Sequence, residues 1–213
     1  MGGKENGIKT RRQECHMFIE ISELMKRRKK ELETIDEKDR KDGTERLKRL
    51  RQIPEETGKF LSLYAANLTN NGDWIEIGTS AGYSTMWLSL AAKEAGRRIK
   101  TFEILDDKFQ MAKETIQVTG IHEYVELIHG DFLKNSGKIG NVAFCFLDCE
   151  KHLYEECFNI VSEKMLSGAV LIADNAINHY ESLKNMIDKA ESDTRFDCMT
   201  VPIGKGEFIC RRK

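Results

Sequence analysis

The stretch Trp74-Ile75-Glu76-Ile77-Gly78-Thr79-Ser80-Ala81-Gly82-Tyr83-Ser84 decides the fold. An apolar, strand-like run enters two spaced glycines, and a helical pattern from Tyr83 to Ala95 follows at once. Gly78 permits a turn that a side chain would obstruct, and Gly82 is expected to let a ligand approach the backbone closely.

Downstream the alternation repeats. IKTFEI precedes a helical pattern over Asp106 to Thr119, YVELIHG follows, and NVAFCFLD precedes His152 to Leu166. AVLIADN then precedes His179 to Ser192. Strands alternating with helices in this way form right-handed βαβ units, hence a parallel sheet covered on both faces. FDCMTVPIG and GEFICRR, joined through Gly204-Lys205-Gly206, read instead as a terminal antiparallel hairpin. The expected class is α/β, doubly wound, with that hairpin at its end.

Upstream, Pro54 pushes Ile53 out of the helical region, so a boundary falls before an apolar helix over Glu55 to Leu68. The expected division is a charged helical N-terminal extension, residues 1–53, and one catalytic domain, residues 54–213. Between Met25 and Arg51 charge dominates, with Gly43 in the middle, which suggests two helices broken near Asp42-Gly43. These would cover part of the core or a dimer partner; a basic arm touching phosphate is the alternative. A chain of 213 residues with 32% charged residues and a net charge of -1 has no global field drawing it to nucleic acid or membrane. The start, MGGKENGIKTRRQ, lacks an apolar secretory core, and the six scattered cysteines have neither CxxC pairing nor zinc spacing. A cytoplasmic protein with mostly buried thiols is expected.

In an open parallel sheet the ligand crevice lies at the carboxyl ends of the strands. The second strand ends in Glu103, 25 residues after Gly78, where a carboxylate can accept from both hydroxyls of a ribose. Dinucleotide enzymes share that device but carry GxGxxG. Here the loop is ExGxxxG, and an acid two residues before the first glycine suits a cationic ligand better than a diphosphate. This motif resembles the first motif of class I S-adenosylmethionine-dependent methyltransferases, and EIGTSAGYST is similar to its version in the catechol and caffeoyl-CoA O-methyltransferase family. The resemblance implies a mostly parallel seven-stranded sheet. It places Glu76, Gly78 and Ser84 around the methionine end of S-adenosylmethionine, with Thr79, Ser80, Gly82 and Tyr83 in the same loop. Glu103 would hold the ribose, Gly130 and Asp131 would lie beside the adenine, and Asp148 would also border the cofactor.

Two further strands end in acid, at Asp148 and at Asp174-Asn175. Oxygen donors on neighbouring strand ends favour a hard divalent cation such as Mg²⁺. Lys151, three residues after Asp148, can act as a base in a partly dry cleft beside a cation. The same family carries Asp-x-x-Lys and Asp-Asn at these places, often with a tyrosine at the position of Tyr154. The resemblance therefore implies Asp148, Asp174 and Asn175 as metal ligands and Lys151, with Asp148, as the catalytic pair. It spans roughly Ile53 to Arg211. Ala176-Ile177-Asn178-His179-Tyr180 departs from the family by lacking its tryptophan-glycine step and insertion, so the acceptor pocket is expected to be more open. Cys149 should pack away from the metal; His122, His129, His152 and His179 should be surface or loop residues; Met86 and Trp87 should be core. The expected activity is metal-dependent methyl transfer to a hydroxyl of a catechol-like or other vicinal-oxygen small molecule, by a homodimer. The alternatives are RNA as acceptor in the same chemistry, and a nicotinamide-dependent or non-catalytic protein on the same sheet.

Overall fold

The computed structural model describes residues 17–19 and 21–213; Cys15 and the first thirteen residues lie outside them. Seven strands form one sheet: β1 (Asp73–Ile77), β2 (Ile99–Glu103), β3 (Val125–His129), β4 (Val142–Leu147), β5 (Met165–Ala173), β6 (Phe196–Val201) and β7 (Glu207–Arg212). Their order is β3-β2-β1-β4-β5-β7-β6. The first five are parallel, and β7 runs antiparallel to both its neighbours, as the terminal hairpin requires. The order reverses between β1 and β4, which marks the crevice where ligands collect in such sheets.

Among the described residues there are seven α-helices: α1 (Glu23–Asp39), α2 (Glu55–Ala66), α3 (Tyr83–Glu94), α4 (Asp106–Thr119), α5 (Phe132–Asn135), α6 (Tyr154–Lys164) and α7 (Tyr180–Ser192). Because side chains alternate across a strand, the two faces of the sheet feed two cores. Trp74, Phe144, Phe146 and Ile172 pack under α1 to α4; Ile75, Cys145, Leu147 and Leu171 pack under α5 to α7. Every residue of β4 is buried, as expected of a central parallel strand. Met86 and Trp87 belong to the first core. Of the described cysteines, Cys145, Cys157 and Cys210 are buried, and all five are free.

α1 starts at Ser22, whose hydroxyl accepts from the Met25 amide at 3.2 Å. It docks on α4 through Arg28, 4% exposed, which donates to Thr115 Oγ1 at 3.0 Å and pairs with Glu114 at 2.8 Å. Met25 and Leu32 enter the same core as α2 and α3.

The second charged helix expected after Gly43 is absent. Residues 40–53 instead cross the carboxyl ends of the strands in turns and extended chain. An eight-residue helix has little stability of its own, and here tertiary bonds outweigh it. Leu50 O accepts from Ser80 Oγ at 3.0 Å, Gln52 Nε2 donates to Leu32 O at 2.7 Å, and Arg46 and Arg51 both pair with Glu150. Other boundaries shift too. α6 begins at Tyr154 after a short 3-10 turn over Lys151–Leu153, and β5 begins at Met165 within the stretch expected to be helical. The small α5 was unexpected; Asp131 caps it by accepting from the Leu133 amide at 3.0 Å.

Candidate functional site

A cavity of about 290 Å³ opens at the carboxyl ends of the strands, where β1 and β4 part. Gly78, Thr79, Ser80, Tyr83, Ser84, Glu103, Gly130, Asp131, Asp148, Lys151 and Asn175 line it. Glu76, Gly82 and Asp174 do not, so three of the candidate residues stand behind the wall.

The loop after β1 is held from both sides. Gly78 and Thr79 donate backbone amides to Phe102 O at 3.0 and 3.2 Å, and Asp148 donates its amide to Ile77 O at 3.0 Å. Gly78 adopts φ 104°, and a Cβ there would lie 2.2 Å from Asp148 O. The glycine is thus required by the neighbouring strand end. Gly82 has a packing role. It takes φ 86° as the left-handed residue before α3, and its absent Cβ makes room for Thr115 Cγ2 at 3.3 Å. Its smallness serves the seating of α3 against α4.

Glu76 is fully buried and accepts from the hydroxyls of Ser84, Thr85 and Thr101. Burial lifts its pKa to about 7, the three hydroxyls pull it down, and the charge of Asp148 raises it further. Glu76 therefore orients Ser84 from behind. Glu103 is committed likewise: one carboxylate oxygen accepts from the Ser80 amide at 2.7 Å and the other from the Leu105 amide at 2.9 Å. Two donors fix its plane and leave lone pairs facing the cavity, the arrangement a pair of adjacent hydroxyls would meet.

At the other end of the cavity, Lys151 Nζ lies 3.0 Å from Asp148 Oδ1 and 2.7 Å from Tyr154 Oη. The Tyr154 hydroxyl donates toward Asp148 Oδ1 or the Asp174 carbonyl, each at 3.3 Å. Burial, with Asp148 next, pushes the Tyr154 pKa well up, so the phenol stays a neutral donor. Asp174 is fully buried; its carboxylate accepts from the Asn175 amide at 2.7 Å and from Asn175 Nδ2 at 2.8 Å. Burial, then the charge of Asp148, lifts its pKa to about 7. Glu207, also fully buried, adds a carboxyl beside Asp174, and its Oε2 has no hydrogen-bond partner among the described residues. Asp148, Asp174 and the amide oxygen of Asn175 are hard oxygen donors on adjacent strand ends, Asp148 and Asn175 at the cavity wall and Asp174 just behind it. They could hold a divalent ion, whereas no group of three or more His, Cys, Asp or Glu among the described residues could. Cys149 turns its sulfur toward Glu150 O at 3.6 Å.

Three non-glycine residues among those described have positive φ: Arg51 (53°), Ser80 (49°) and Asn175 (71°). All three line this one cavity. Strain of this kind costs on the order of 1–3 kcal/mol per residue and collects where the surrounding structure fixes a working geometry. Sequence reasoning missed Arg46, Arg51, Lys108, Glu150 and Lys205, all of which line the cavity. Lys205 could have been suspected from its place at the hairpin tip, which the loop after β5 grips through Ala176 N to Gly206 O and Ile177 N to Lys205 O. The others carry no local signal. Of the histidines, His129 pairs with Asp106 and stacks on Phe109, while His179 borders the cavity.

A family model described as O-methyltransferase matches residues 26–213. The chain is 32% identical over 149 residues to a catechol O-methyltransferase of Niastella koreensis, covering 67% of this chain and 66% of that protein. It is 25% identical over 181 residues to caffeoyl-CoA O-methyltransferase 1 of Eucalyptus globulus, covering 74% and 73%. The O-methyltransferase of Bacillus cereus, solved in complex with S-adenosylhomocysteine, superposes with a TM-score of 0.72 at 19% identity, over 88% of this chain and 91% of that one.

Proposed function

Because the chain belongs to the O-methyltransferase family and so uses S-adenosylmethionine, we propose that it methylates one of two neighbouring oxygens of a small molecule, with a divalent metal at Asp148, Asp174 and Asn175. The observation that carries this reading is the cluster of Lys151 on Asp148 and Tyr154 beside Asp174 and Asn175, at the mouth of the cavity that Ser80, Ser84 and Glu103 line. The N. koreensis relative is named a catechol O-methyltransferase, which supports a vicinal-oxygen acceptor.

When bound, S-adenosylmethionine supplies the electrophilic methyl, and a divalent ion supplies positive charge that favours ionisation of an oxygen beside it. The chain's own residues do the rest. Lys151 Nζ takes the proton from the acceptor hydroxyl; Asp148 and Tyr154 hold that amine in place within 3.0 Å and 2.7 Å. Ser80 and Glu103 hold the adenosine end, while Glu76 behind Ser84 fixes the loop facing the methionine end. Residues 46–53 lie across the strand ends and restrict water, which favours a step in which opposite charges cancel.

An RNA acceptor was motivated by the basic segment before Pro54. The relatives named for catechol and caffeoyl-CoA favour the small-molecule acceptor. The test is transfer of labelled methyl from S-adenosylmethionine into a panel of catechol-type compounds and into total RNA, each with Mg²⁺ or with excess EDTA. Label in the small-molecule pool that EDTA abolishes is expected. Undiminished transfer in EDTA removes the metal from the reading, and label confined to RNA overturns the acceptor class.

A further inference from the structure

Lys108 plays no part in the scheme above. It lies in the first turn of α4, is only 5% exposed, and lines the cavity. No described residue hydrogen-bonds or ion-pairs with its ammonium. The acids that act on it bond elsewhere: Glu103 with two backbone amides, Glu150 with Arg46 and Arg51, Asp148 with Lys151. Among its charged neighbours Arg51 acts on it most strongly, and Arg51 carries the same sign. Burial, followed by that guanidinium, pulls the Lys108 pKa below its ordinary value.

Arg51 is itself unfinished on this side. Its Nε is buried without a hydrogen-bond partner, although its other end reaches Glu150, and its backbone sits in the left-handed region. Burying an ammonium is costly; Glu103, Glu150 and Asp148 offset that cost without bonding to it, while the like charge of Arg51 on the same cavity adds to it. An anion between them would supply the missing acceptor to both, with the guanidinium and the ammonium each donating charge-assisted bonds.

We propose that Lys108 and Arg51 form a site for one anionic group, a carboxylate or a phosphate, on a molecule bound in the cavity. The site itself stands on the two unpartnered donors; only the naming of its two sources rests on the proposed function. Those sources are the carboxylate of the methionine part of the cofactor and an acid group on the acceptor.

The test uses the full chain and Lys108→Met, which keeps the volume of the stem and removes the charge. Calorimetry compares S-adenosylhomocysteine with 5′-methylthioadenosine, which lacks the carboxylate. With S-adenosylhomocysteine and Mg²⁺ present, it then compares 3,4-dihydroxybenzoate with catechol. The expected result is a loss of about tenfold or more for the acidic member of one pair and less than twofold for its neutral partner. The pair that responds names the source. If both members of each pair weaken together, or neither does, the site is overturned. Should S-adenosylhomocysteine not bind the wild type, the proposed function falls instead, and inorganic phosphate decides the anion site. A rise in wild-type melting temperature with phosphate that Lys108→Met lacks supports it; equal behaviour of the two proteins refutes it.

Discussion

Replacing Tyr154 by phenylalanine tests how the base is held. The ring is 1% exposed and packs in the second core, so the change removes one oxygen and leaves the shape. That oxygen accepts from Lys151 Nζ at 2.7 Å and offers its hydrogen to Asp148 Oδ1 or the Asp174 carbonyl at 3.3 Å. A hydrogen bond to a charged group contributes about 1.5–3 kcal/mol and a neutral one about 1. Lys151 keeps Asp148 as a partner, so a stability loss of about 1–3 kcal/mol is expected. For a chain of this size that lowers the melting temperature by about 2–12 °C. The larger effect falls on turnover. With its second anchor gone, the amine samples positions away from the acceptor oxygen, and a penalty of about 1.4–2.7 kcal/mol in the transition state lowers kcat about 10- to 100-fold. Affinity for S-adenosylhomocysteine should stay within twofold, because Tyr154 does not line the cavity. Scanning calorimetry, ligand titration and initial rates separate the three quantities. A variant that melts lower but turns over at the wild-type rate refutes the assignment of Tyr154 as the residue positioning Lys151.

Lys151→Ala should lower kcat by about 100-fold or more if it is the general base, while leaving the binding of S-adenosylhomocysteine unchanged; retained turnover removes that assignment. Gly78→Ala meets Asp148 O at 2.2 Å and keeps φ 104°, so a loss of about 2–5 kcal/mol from strain and overpacking should appear in denaturant melts, together with weaker cofactor binding; a loss below about 1 kcal/mol would mean that the strand ends yield easily. Glu76, with its folded-state pKa lifted to about 7 from 4.5, holds its proton where the unfolded chain has lost it, so its contribution is intact below about pH 4.5 and disappears as pH rises through about 7. Compared with Glu76→Gln, the wild type should lose up to about 3 kcal/mol across that window; parallel stability curves for the two proteins would show that Glu76 does not titrate there.

The sheet and its acids could be read from the chain because both signals are local. A strand reads as an apolar run, and an acid at its end, as at Glu103, Asp148 and Asp174, falls at the crevice by topology alone. The hairpin through Gly204-Lys205-Gly206 was visible for the same reason. The segment after Gly43 was not, since its charged residues suit a helix and only contacts with Ser80, Leu32 and Glu150 draw it across the strand ends. Lys108 looks like any solvated lysine in a helix beginning Asp106-Asp107, and the like charge it meets comes from Arg51, distant in sequence. The packing role of Gly82 was not legible because a glycine required by φ and by a facing helix looks the same in sequence as one required by a ligand.

The place of β7 between β5 and β6 bears on how the protein is made. A ribosome releases β5 first, then β6, and only afterwards the strand that joins them. Until Glu207 to Arg212 emerges, β6 has no neighbour to pair with, and the apolar rim from Val170 to Ala173 presents bare amides and carbonyls to the cell. Such a rim is a template for another chain. A chain cut short before Glu207 would keep that rim uncovered, and it is expected to self-associate where the full chain stays dispersed.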